Sequence, residues 1–275
     1  MILYRTRDGW LVEEAGRFHP LDENSLDALL AREDLETYLA SRLKAGATQG
    51  AVDEKKLLAP VGTQEVWAAG VTYLRSRAAR MAESKDAGGG DFYDRVYAAE
   101  RPELFFKALA HKVVGPGAAV GIRSDATWNV PEPELVLVSD AAGKIVGYTI
   151  GNDMSSRDIE GQNPLYLPQA KVYNRSCALG PGILVSREPL PAETKISLKI
   201  ERGSETAFAG ETSLTQMKRK PQELVEYLYR DQTFATGTFL LTGTGVVPPD
   251  SFTLKRGDRI RIAIGGIGEL INPVG

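Results

Sequence analysis

Histidine and cysteine are almost missing from this chain. Its 275 residues include two histidines, His19 and His111, and one cysteine, Cys177. A lone cysteine closes no internal disulfide, which fits a reducing, cytoplasmic setting. A cysteine nucleophile wants a histidine base beside it, and with so few histidines Cys177 reads as a small buried residue. No apolar run reaches the roughly 18 residues of a membrane helix. The opening Met1-Ile2-Leu3-Tyr4-Arg5 lacks a basic stretch followed by an apolar one, so no signal peptide is expected. Neither sign of charge dominates. The formal net charge is −3, which leaves no basic footprint for nucleic acid. The densest basic cluster, Lys218-Arg219-Lys220, reads as the solvated start of a helix. Internal repeats and low-complexity tracts are absent too.

What remains is ordinary globular composition, 43% apolar and 25% charged, which excludes collagen, disorder and a disulfide scaffold. The length suits one large domain with an accessory piece, or two modest domains. Residues 1–60 read as a small N-terminal domain and 61–275 as the main one. The first has short strands around Asp8-Gly9. Its 25–43 stretch reads as helical, with Leu26, Leu29, Leu30, Leu35, Leu39 and Leu43 at roughly helical spacing. Residues 57–60 read as an edge segment.

A buried strand follows at 66–70, then a helix over 73–83 and a glycine-rich breaker at 85–90. A second short helix is expected over 91–100, and a strand at 104–107. Beyond that, strand and turn prevail. Residues 134–139 and 144–150 flank Asp140-Ala141-Ala142-Gly143 as a hairpin. Further strands are expected at 180–185, 195–202, 205–211, 239–242 and 259–264, with a helix over 222–228. Strands without regular βα alternation predict an α+β, β-rich fold.

The informative segment is Pro131-Glu132-Pro133-Glu134-Leu135-Val136. In extended backbone, residues two apart point to one side, and Pro133 favours extended backbone at Glu132. Two carboxylates that close repel. A hard dication with oxygen ligands removes the conflict. Asp153 follows the second hairpin strand, and the hairpin would bring it to Glu132 and Glu134 as an open three-carboxylate site. The plainer reading stands beside it: an exposed strand edge, with Asp153 capping a turn.

Longer motifs now accumulate. They include Gly70-Val71-Thr72-Tyr73, Pro102-Glu103-Leu104-Phe105-Phe106-Lys107, Val114-Gly115-Pro116-Gly117 and Glu132-Pro133-Glu134. They continue through 147–155, Lys171, Leu179-Gly180-Pro181, Thr242-Gly243-Thr244-Gly245, Arg256-Gly257-Asp258 and Gly266-Ile267-Gly268. In this order and spacing the chain resembles the fumarylacetoacetate hydrolase superfamily. The resemblance implies a β-rich catalytic domain, a mixed β-roll or sandwich, with a smaller N-terminal part. It implies a magnesium ion on Glu132, Glu134 and Asp153 with Lys171 beside it; manganese and calcium stay open. A homo-oligomer is also implied.

Hydrolytic members of that superfamily carry a histidine where Ser76 stands here, when aligned on Gly70 and Tyr73. Serine cannot replace imidazole as a base near neutral pH. Details at 71–77, 93–97, 124–134 and 163–173 instead resemble the branch that dehydrates 2-keto-3-deoxy sugar acids. That branch implies a small 2-oxo acid substrate, for a five-carbon acid dehydrated to 2,5-dioxopentanoate. Lys171 is the candidate base, or else a fixed positive charge. Glu103 is the candidate acid, or else a turn carboxylate after Pro102. Arg75, Ser76, Lys171 and Thr244 are candidate substrate contacts, and Arg75 and Arg77 equally suit an exposed helix face. Residues 93–95 are a candidate lid, and Arg157-Asp158 a candidate ion pair orienting Asp153. Two other functions stay open: an acylpyruvate hydrolase or 2-oxo acid decarboxylase on the same metal, and a non-catalytic oxo-acid binder.

Overall fold

A computed structural model describes residues 1–74 and 95–275. The helix expected over 73–83, the 85–90 breaker, and Arg75, Ser76, Arg77, Tyr93 and Asp94 lie wholly or largely outside the described residues.

The chain opens with β1 (Ile2–Thr6), β2 (Gly9–Glu14) and β3 (Arg17–Pro20), then α1 (Leu26–Leu30), α2 (Leu35–Gly46) and the short β4 (Thr48–Gln49). The single helical stretch expected over 25–43 is thus two helices. Five residues separate Leu30 from Leu35, an advance of about 140° at 3.6 residues per turn. A straight helix would swing the second leucine set off the core. The chain breaks instead, and all six leucines are buried in one cluster.

Next come β5 (Glu65–Gly70), β6 (Glu103–Ala108), β7 (Val113–Val114), β8 (Asn129–Val130), β9 (Pro133–Ser139) and β10 (Ile145–Asp153). Short pieces follow: β11 (Ser155–Ser156), α3 (Arg157–Gln162) and α4 (Leu167–Lys171). The remainder is β12 (Cys177–Val185), β13 (Lys195–Arg202), β14 (Glu205–Ser213), α5 (Pro221–Leu228), β15 (Thr238–Leu241), β16 (Arg259–Ile264) and β17 (Gly268–Pro273).

Among the described residues, the main sheet has eleven strands in the order β4-β3-β2-β1-β12-β10-β9-β15-β5-β6, with β7 also on β12. A separate sheet runs β14-β13-β16-β17, all antiparallel. The central strand β9 is buried along its whole length. Its alternate residues serve two cores. Leu135 and Leu137 join Leu198, Ile200 and Ile262 of the small sheet. Val136 and Val138 join the leucines of α1 and α2. The main sheet is therefore covered by helices on one face and by the small sheet on the other. The two ends of the chain segment 1–70 are also tied. Asp27 of α1 accepts from Thr63 and Gln64, just before β5.

Candidate active site and metal centre

The hairpin of β9 and β10 assembles the carboxylates. Asp140 holds its turn by accepting from the backbone of Ala142 and Lys144. The register then pairs Gly151 with Glu134 and Asn152 with Pro133. One step on, the Asp153 amide donates to the Glu132 carbonyl at 3.0 Å. Glu132, Glu134 and Asp153 are all buried, and one oxygen from each lies within 4.8 Å of the others. The expected cluster forms, and it is no exposed strand edge. Burial pushes the Glu134 carboxyl well above the usual range, and the charges of Asp153 and Glu132 push it further. The Gly243 amide opposes this by donating to Glu134 Oε2 at 2.6 Å.

Three buried cations face the three carboxylates. Lys171, at the end of α4, places Nζ 2.5 Å from Glu132 Oε2 and 3.1 Å from Asp153 Oδ2. Arg157, at the start of α3, donates to Glu132 Oε1 at 2.8 Å. Lys107 of β6 sits 2.5 Å from Asp153 Oδ1. Desolvating so many charges is costly unless they are matched, and here they match one for one. Among the described residues, Arg157 and Asp158 do not pair with each other as expected. Arg157 binds Glu132, while Asp158 accepts from the amide and hydroxyl of Thr127. Helical backbone separates consecutive side chains by about 100°, which sends the two to different neighbours.

A small cavity of about 10 Å³ lies between these groups, lined by residues that include Gly70, Phe105, Glu132, Glu134, Asp153, Lys171 and Thr244. Thr244 lines this cavity, and its hydroxyl donates to the Val246 carbonyl at 3.1 Å. Glu103 begins β6, paired with Gly70 of β5. Its carboxylate lies over the Gly70 backbone, where an added Cβ would be 2.0 Å from Oε2. Tyr73 is also buried nearby. Burial raises its hydroxyl pKa and the Glu134 charge raises it further.

The residues fit a divalent cation. Oxygen ligands cluster in a buried pocket, and their mutual repulsion is already visible at Glu134. Asp153 Oδ1 has no hydrogen-bond donor in proper geometry among the described residues, although the Lys107 ammonium lies against it. Hard cations such as magnesium favour this donor set.

Two features escape a reading of the sequence. Lys107 sits in a motif that marks a strand, but lysine on a strand ordinarily signals solvent. Arg219 was expected in a solvated basic run, yet it is 7% exposed. It donates to the carbonyls of Val96, Ala99 and Glu100 and pairs with Glu223. Guanidinium geometry suits that work, since several donors fan out in one plane.

Residues 65–275 match the family model described as "Fumarylacetoacetate (FAA) hydrolase C-terminal", and the chain belongs to this family. Within it, the chain is 45% identical over 249 residues to "Probable 2-keto-3-deoxyxylonate dehydratase" of Haloferax volcanii, covering 90% of this chain and 85% of the relative. It is 41% identical over 262 residues to "2-dehydro-3-deoxy-D-arabinonate dehydratase" of Saccharolobus solfataricus, covering 92% and 88%. Among solved structures, "2-keto-3-deoxy-D-arabinonate dehydratase complexed with magnesium and 2,5-dioxopentanoate" superposes with a TM-score of 0.83 at 36% identity, covering 100% of this chain and 98% of the other.

Proposed function

We propose that this chain is a divalent-metal-dependent hydro-lyase that dehydrates a 2-keto-3-deoxy sugar acid. The observation that carries the reading is the buried Glu132, Glu134 and Asp153 cluster with Lys171 on its wall. The dehydratase relatives support the substrate class. Without a metal the cluster is balanced by Lys107, Lys171 and Arg157. A bound dication leaves the centre positive, and a positive, buried centre favours an anionic ligand such as a 2-oxo acid.

Glu132, Glu134 and Asp153 would hold magnesium, with manganese or calcium as substitutes. The ion when bound supplies Lewis-acid polarisation of a carbonyl oxygen. The chain's own residues do the rest. Lys171 Nζ lines the cavity and, as the neutral amine that a neighbouring dication favours, takes a proton from C3 of the substrate. Glu103, whose carboxylate lies over the cavity-lining Gly70, gives a proton to the departing C4 hydroxyl. Thr244 and the Gly243 backbone shape the wall against which the substrate carboxylate rests. Arg75 and Ser76 complete the proposed contacts. General acid–base groups placed this way contribute about 10²- to 10⁴-fold each.

The direct test is turnover of 2-keto-3-deoxy-D-arabinonate by purified protein, with magnesium and with a chelator, following 2,5-dioxopentanoate. Metal-dependent product is expected. Cleavage of an acylpyruvate into two acids, or release of carbon dioxide from a 2-oxo acid, with no dehydration would move the chain to another branch of the family. Metal-dependent binding without any turnover would make it a binding protein.

Three coarser expectations belong to the same reading. The division into a 1–60 N-terminal domain and a 61–275 catalytic domain is supported by the family match starting at residue 65. Assembly into a homo-oligomer follows the family resemblance, and sedimentation of a lone monomer would count against it. A cytoplasmic site is consistent with the described residues, none of whose helices is long and apolar enough to cross a membrane.

A further inference from the structure

The reaction scheme gives no proton-transfer step to two of the three buried cations, Arg157 and Lys107, and of these only Lys107 lies off the cavity wall. Strand β6 pairs with β5 regularly from Glu103 opposite Gly70 to Phe106 opposite Trp67, but then Ala108 faces Val66. Lys107 is the extra residue of a β-bulge. Such bulges interrupt a ladder, re-aim a side chain and recur beside active sites. Here the re-aimed side chain is fully buried, at 0% exposure.

Its ammonium is surrounded by oxygen. Nζ lies 2.5 Å from Asp153 Oδ1, 3.1 Å from the Met154 carbonyl, and against the carbonyl of Lys171. An ammonium donates and accepts nothing: the two carbonyls accept hydrogen bonds from it, and the carboxylate is held as an ion pair. The three belong to a metal ligand, to the backbone just after that ligand, and to the backbone of the proposed base. Lys171 differs in kind. Its Nζ meets carboxylates and lines the cavity, whereas Lys107 is not among the lining residues.

We propose that Lys107 is a positioning residue: it clamps Asp153 and the Lys171 backbone into one arrangement and thereby sets the affinity of the metal centre. This rests on the metal reading above. Two effects oppose each other at this position. A cation near a dication weakens metal binding by repulsion, so removing it would tighten the site. Losing the clamp frees a ligand and the two carbonyls, which weakens binding. The clamp wins, because the carboxylate and both carbonyls that Lys107 holds belong to the metal ligand, the residue after it and the proposed base. Groups that orient metal ligands typically carry 10- to 100-fold in affinity.

Titration calorimetry with magnesium tests this on wild type, Lys107→Gln and Lys107→Arg. Folding of each is checked by circular dichroism and thermal melting. The magnesium Kd of Lys107→Gln is expected to rise about 10- to 100-fold, with Lys107→Arg recovering part of the loss at a similar melting temperature. A role in folding alone would lower melting temperature and leave Kd unmoved. An unchanged or tighter Kd for folded Lys107→Gln overturns the proposal. If the variants do not fold, a magnesium-loaded crystal structure of wild type decides. Nζ bridging Asp153, Met154 and Lys171 is expected, and a Lys107 turned away from Asp153 overturns the clamp. Failure of wild type itself to bind magnesium would sink the metal reading instead.

Discussion

Lys107 and Lys171 are both fully buried, yet their surroundings assign them different work. Lys171 lines the cavity and contacts two carboxylates, and Lys107 faces a carboxylate and two carbonyls. Replacing Lys171 by alanine is expected to cut kcat of the dehydration about 10²- to 10⁴-fold, measured at saturating magnesium and substrate. A kcat within a few-fold of wild type would leave Lys171 only an electrostatic part. Cys177 gives a second prediction. It is Asp153's partner across the β10–β12 ladder, and burial pushes its thiol up to about 12. Only the thiolate reacts appreciably. At pH 8 the native protein is therefore expected to resist Ellman's reagent and to react once denaturant is added. Prompt labelling of the native protein would show the packing around Cys177 to be loose.

Between β15 and the site, the turn 242–245 does the holding. Gly243 has φ of +89°, and a Cβ there would lie 2.0 Å from Thr72 Oγ1 and 3.0 Å from the Ala69 carbonyl. Left-handed backbone and crowding both call for glycine. Thr72 itself donates to the Thr242 carbonyl at 2.6 Å, so the turn is locked to the end of β5. Gly243→Ala is expected to pull the amide from Glu134, weaken magnesium binding in calorimetry by about tenfold or more, and lower the melting temperature. Normal metal affinity in this variant would mean that the amide of Gly243 is dispensable to Glu134.

The chain's N-terminal segment shares a core with the rest. Leu3, Val12, Leu29 and Leu39 pack in the same cluster as Val66, Val136, Leu179 and Leu241, and β1 pairs directly with β12. Residues 1–60 therefore cover one face of the catalytic sheet. A fragment of 61–275 is expected to expose that face, bind hydrophobic dyes and lose a cooperative melt. A cooperative melt and intact magnesium binding in the fragment would show that the catalytic unit stands alone. For the full chain, added magnesium is expected to raise the melting temperature by mass action, and a chelator to reverse it.

Much was legible in the residues because it is local. Alternation and length placed most strands, and the polar Asp140–Gly143 turn placed the β9–β10 hairpin. Glu132-Pro133-Glu134 set two carboxylates on one side of extended chain, and the hairpin delivered Asp153 to them. The short strands β3 and β17 were not anticipated, since nothing in their sequences rises above a turn-rich background. The break between α1 and α2 needed the core to declare which face mattered.

Other features exist only across the fold. Whether the carboxylates were an exposed edge or a buried centre depended on cover from β6, α3 and α4, brought in from distant parts of the chain. The inward turn of Lys107 depended on a bulge in register with β5. The burial of Arg219 depended on the carbonyls of residues 96–100. These buried charges meet partners distant in sequence, 25 positions away for Arg157 and Glu132, 39 for Lys171 and Glu132, and 119 for Arg219 and Glu100. Sequence by itself determined which acids stand on one strand. Only the tertiary structure decided which cations meet them, because the cost of burying a charge is set by neighbours that chain order does not reveal.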